Sequence, residues 1–66
     1  MDEWHRKLAD WIMENGGPKG SWIYAASLHF KVSEKFIAMI WHSDAFSDYY
    51  SGRLWAGEKP KKLNDR

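Results

Sequence analysis

The chain has 66 residues, 44% hydrophobic, 17% aromatic and 29% charged, with five Trp, no Cys and a net charge of +1. Such a chain makes one small domain, is too aromatic for a disordered polymer, and without Cys carries no disulfide scaffold, Cys-type zinc site or thiol nucleophile. Its longest apolar run, Phe36 to Trp41, is too short to span a bilayer, and Met1-Asp2-Glu3 lacks a signal-peptide start, so the expectation is a soluble, intracellular protein without a membrane partner.

The first predicted helix runs from Asp2 to about Asn15. Trp4, Leu8, Trp11 and Ile12 share one helical face. Asp2 and Glu3 suit the positive end of the helix dipole. Asn15-Gly16-Gly17-Pro18 stops the helix, because Gly accepts a left-handed cap and Pro cannot continue it. Ser21 is the expected N-cap of a second helix over Trp22 to Phe30, with Ile23, Ala26, Ser27 and Phe30 on one face. Ser33 is the expected cap of a third, ending near His42, whose apolar face is Phe36, Ile37, Ile40 and Trp41. Ser43 opens a short fourth helix over Asp44 to Ser51, which Gly52 is expected to close. Leu54-Trp55 is expected to pack back on the body, and Glu58-Lys59-Pro60-Lys61-Lys62 reads as a solvated tail or linker. No stretch alternates as a strand would. The fold class is all-α, a compact bundle of three to four helices, with a domain over 1–52 and a basic tail over 53–66.

Charge divides at the same place. Residues 1–52 hold five Lys/Arg against seven Asp/Glu, for −2, and residues 53–66 hold five against two, for +3.

Residues 23–42 fit a helix-turn-helix, in which a second helix is set at a steep angle to enter the DNA major groove. A small residue must sit where the helices cross, and Ser27 is there with Ala26 beside it. Phe30 closes the first helix, Val32 plugs the core from the turn, and Ile37 and Ile40 are the positions that the second helix must bury. Lys31 departs from the pattern, since many such turns have Gly and Lys is strained there if φ is positive.

With Ile37 and Ile40 inward, Ser33, Glu34, Lys35, Ala38, Met39 and His42 face outward. Lys35 suits guanine O6/N7, Glu34 suits cytosine N4, and Ala38 or Met39 suits a thymine methyl. Glu34 serves equally as a first-turn charge complementing the helix dipole. Phosphate contacts are expected from Lys19, Lys31 and the amides near Ser21 and Trp22, and from Arg53, Lys59, Lys61 and Lys62 along the backbone. Asp2, Glu3, Asp10 and Glu14 are expected on the side away from DNA. Trp4, Trp11, Trp22 and Trp41 fall at helical spacings that suit core or interface, with Trp22 the one expected as an exposed contact.

Phe30-Lys31-Val32-Ser33 through Ile40-Trp41, followed by His42-Ser43-Asp44-Ala45-Phe46, resembles the N-terminal DNA-binding region of small terminase subunits of tailed bacteriophages. The resemblance covers about a third of the chain closely and residues 4–51 loosely. It implies genome recognition for DNA packaging in a bacterial host cell, self-association in a longer chain, and a large terminase subunit as partner. It also implies that residues 53–66 lead toward an oligomerisation region.

His5, His29 and His42 lack metal-ligand spacing, and the chain has no P-loop or nucleophile elbow, so neither a metal, a cofactor nor an enzymatic activity is expected. Two other readings use the same residues. One is a small transcriptional or recombination regulator carrying the same motif, and the other is a helical protein-interaction module that does not meet DNA.

Overall fold

A computed structural model describes residues 2–61, which form four helices in chain order: α1 (Asp2–Glu14), α2 (Trp22–Phe30), α3 (Glu34–Trp41) and α4 (Asp44–Trp55). The protein is an all-α bundle. Its core gathers on α1, where Leu8, Ala9 and Ile12 are fully buried and Met13 nearly so. Around them close Ala26 of α2, Ile37 of α3 and Phe46 of α4. Each fully buried large side chain contributes on the order of 1.5–3 kcal/mol.

Aromatic rings carry the packing outward from this small centre. Trp4 meets the edges of Phe30 and Phe36 at 5.3 and 5.0 Å, tying α1 to both sides of the α2–α3 turn. Trp22 meets Trp41 at 5.0 Å and joins the start of α2 to the end of α3. Phe46 stacks on Tyr50 at 5.8 Å within α4. Trp22 is therefore half-buried in a Trp–Trp contact and is not the exposed residue expected.

The helix ends follow local chemistry, with two corrections. α1 ends as expected: Gly16 and Gly17 take φ of 86° and 99°, and the Gly17 amide donates to the Ile12 carbonyl. Ser33 and Ser43 are side-chain caps, accepting from the Phe36 and Phe46 amides at 3.0 and 3.1 Å. Ser21 is not: with ψ near 41° its hydroxyl makes no cap bond, so the first amides of α2 lack a side-chain acceptor.

Gly52 does not close α4, which runs three residues further to Trp55. The stop is Gly57 at φ 102°, with the Gly57 and Glu58 amides donating to the Leu54 and Arg53 carbonyls. Nor do Leu54 and Trp55 pack back; they are 41% and 89% exposed. The stretch expected as a solvated tail returns to α1 as far as Lys61, whose amide donates to the Met13 carbonyl at 2.6 Å.

α2 and α3 are separated by Lys31, Val32 and Ser33. Lys31 is left-handed (φ 60°, ψ 45°), the conformation that disfavours a residue with a Cβ. The Val32 amide reaches back to the Ser27 carbonyl at 3.1 Å, which locks the reversal. Ala26 and Ser27 are buried, and the Ser27 hydroxyl donates to the Tyr24 carbonyl at 2.7 Å. Val32, Phe30 and Ile40 are half-buried against the core.

Two substitutions test this packing by thermal unfolding. A Cβ on Gly52 meets nothing within 4 Å, so Gly52→Ala in the middle of α4 should stabilise by about 0.5–1 kcal/mol. Ser27→Leu should destabilise by about 1–3 kcal/mol through overpacking, and a normal melting temperature would refute this placement of the helix crossing.

Candidate nucleic-acid interface

α3 has two unlike sides. Ile37 is fully buried, and Phe36, Ile40 and Trp41 are half-buried. On the other side Ser33, Glu34, Lys35, Met39 and His42 are exposed, Met39 at 62%. Ala38 is half-buried, so it lies at the margin of the exposed face rather than on its crest. Ser33 is committed as an acceptor to the Phe36 amide, which leaves its hydroxyl hydrogen for a second partner.

Lys31 is exposed at the turn beside the start of α3, and Lys35 lies one turn on. Neither makes an ion pair among the described residues, and the same holds for Lys19 and Lys59. Lys19 and Ser21 are exposed at the other end of α2, beside amides that the Ser21 side chain does not cap. Such amides are suited to phosphate oxygens.

Arg53 and Lys61 stand apart from this group. The Arg53 guanidinium donates to Asp10 at 2.6 Å and, through two nitrogens, to Glu58 at 2.9 and 2.6 Å. The Glu58 hydrogen bonds first, against a desolvation that acts the other way, and then Asp10 hold its pKa still further above the ordinary arginine range. It also lies over the Tyr49 ring at 5.7 Å. Burial pushes the neighbouring Tyr50 phenol above its usual value, an effect that Arg53 partly offsets. Lys61 holds Glu14 at 3.2 Å. Of the described cations expected to follow a DNA backbone, Arg53 and Lys61 are thus engaged with carboxylates and Lys59 is not. Lys62 lies outside the described residues.

Acidic residues occur on α1, α3 and α4, and Asp10 and Glu14 of α1 are the ones that meet Arg53 and Lys61. An open groove of about 590 Å³ is lined by Asp10, Glu14, Lys7 and His29 together with Trp11 and Phe30. The groove mixes Lys7 and His29 with these carboxylates, whereas Lys31 and Lys35 stand exposed at the α2–α3 turn and on α3. Among the described residues no cluster of His, Asp and Glu is placed to hold a metal ion, and no helix is long and apolar enough to cross a membrane.

The sequence reading missed the engagement of Arg53 and Lys61, because Asp10 and Glu14 lie 43 and 47 positions away and Glu58, five residues from Arg53, falls in the stretch read as a solvated tail. It also missed the exposure of Tyr24 and Leu28, at 53% and 60% on the outer side of α2. The all-α class with two helices broken at a left-handed lysine is what the fold defines. No protein-family model, curated protein or solved structure matches the chain.

The Arg53 side chain is 20% exposed and its partners are about half exposed, so the network is stronger than an isolated surface pair. Arg53→Gln should lower stability in chemical denaturation by about 0.5–1 kcal/mol, and double-mutant cycles with Asp10→Asn and Glu58→Gln should show coupling to both.

Proposed function

We propose that the protein binds duplex DNA, with α2 and α3 acting as a helix-turn-helix and α3 as the recognition helix. One observation carries this reading. α3 buries Ile37 behind a sharp left-handed turn while presenting Lys35, Met39 and His42 to solvent. A recognition helix must be held from behind and remain free in front.

In this arrangement Lys35 donates to guanine O6/N7 and Glu34 accepts from cytosine N4. Met39, with Ala38 at its margin, supplies apolar contact to a thymine methyl. Ser33 and His42 flank these at the two ends of the helix. Lys31, Lys19, Lys59 and the uncapped amides after Ser21 contact phosphates. With so few cations, one copy binds in the weak range, on the order of 10⁻⁴–10⁻⁶ M. Tight binding then requires several linked copies.

The resemblance of residues 30–46 to small terminase subunits supports a finer reading, recognition of a phage genome for packaging. In that setting a longer chain self-associates and works with a large terminase subunit. A second reading is favoured by exposed Tyr24 and Leu28 on α2: a module that docks another protein. Aromatic and aliphatic side chains together on one helix face suit a protein partner better than a phosphate backbone.

Titration with duplex DNA at several salt concentrations separates these readings. DNA binding predicts affinity that falls steeply as salt rises. Lys35→Ala should weaken binding about fivefold or more while moving the melting temperature little. Equal binding by the variant removes Lys35 from the interface, and absent or salt-insensitive binding favours the protein-docking module.

A further inference from the structure

Residues 56–61 are fastened to α1. The Met13 carbonyl lies in the last turn of α1, where it accepts from the Gly16 amide at 3.5 Å and, more closely, from the Lys61 amide at 2.6 Å. The Lys61 ammonium sits 3.2 Å from Glu14, near the helix C-terminus, where positive charge is favoured. Between these points Pro60 lies over Gly17, close enough that a Cβ there would stand 3.5 Å from the proline ring. At the near end Arg53 grips Asp10 and Glu58 together.

The far fastening is the weaker one. Lys61 and Glu14 are 62% and 69% exposed, so their attraction is modest and screened by salt. Arg53 is more buried, and it binds two carboxylates rather than one. The segment therefore has a firm hinge end at Arg53 and a releasable end at Lys61. A polyanion is a rival partner for that ammonium, and its charge density draws Lys side chains wherever they reach it.

We propose that residues 56–61 form a releasable strap. In the free protein Glu14 and the Met13 carbonyl hold Lys61 against α1, and duplex DNA competes for it. Glu14 is thus an autoinhibitory group that sets how readily the basic tail joins the DNA contact. This rests on the DNA-binding reading above. It goes beyond that reading in assigning the tail two alternative partners and the acidic side of α1 a role in regulating affinity.

The test uses the full chain, ¹⁵N-labelled, with a duplex of mixed sequence at low salt. In the free protein the Lys61 amide should exchange slowly, and Glu14→Gln should speed its exchange. Added duplex should release the amide in the wild-type protein. Glu14→Gln should raise affinity about two- to fivefold relative to Asp48→Asn, which removes an equal charge from exposed α4 without touching the strap. Duplex that binds without releasing the Lys61 amide, or equal affinities for the two variants, overturns the strap and leaves DNA binding standing. No duplex binding by the wild type or by either variant overturns both.

Discussion

The close approach of α2 to α3 is the constraint on which the other features rest. It is possible because Ala26 and Ser27 are small enough to disappear between the helices. A larger side chain at either place would lever α3 outward and open the space that Ile37 fills. The buried Ser27 hydroxyl adds no penalty, since the Tyr24 carbonyl accepts its hydrogen. Once Ile37 is seated, the rotation of α3 about its own axis is set, and with it the row of side chains left facing solvent.

The turn between α2 and α3 is left-handed at one residue. Lys31 leaves the right-handed region for the left-handed one, whereas His42 and Ser43 join α3 to α4 with negative φ. Lys31 takes that conformation despite its Cβ, at a cost on the order of 1–2 kcal/mol relative to glycine geometry. Burial of Ile37 and the Trp4 contacts with Phe30 and Phe36 offset it. Lysine also leaves a positive charge at the head of α3, where glycine would leave none.

Charge is arranged unevenly around the molecule. The carboxylates of α1 face the end of α4 and the returning tail, while Lys31 and Lys35 stand at the turn and on the outer side of α3. Lys31 and Lys35, with Glu34 between them in the chain, thus lie away from the carboxylates of α1 that hold Arg53 and Lys61. Asp10, Glu14, Arg53, Glu58 and Lys61 tie the C-terminal segment to α1 and α4, while Glu3 and Lys7 pair within α1.

Much of this was legible in the chain itself. Helical spacing of Trp4, Leu8 and Ile12, the serines before α3 and α4, and the glycine pair after α1 specify elements through interactions within a few residues. The inward set of Ser27, Phe30, Val32, Ile37 and Ile40 was legible for the same reason: its offsets are short and the burial pattern is periodic. Gly52, Ser21 and the tail were not. A glycine ends a helix where its φ turns positive, and in α4 that happens at Gly57 rather than Gly52, after Arg53 has met Asp10 on a helix 43 positions earlier. Ser21 fails as a cap because its backbone leaves the extended region that brings a hydroxyl over the first amides. Local periodicity and capping chemistry are properties of neighbours along the chain, so sequence determined the helices and their buried faces. Pairing between distant charges, and which cations remain free, exist only once α1, α4 and the tail are brought together, so tertiary structure alone decided them.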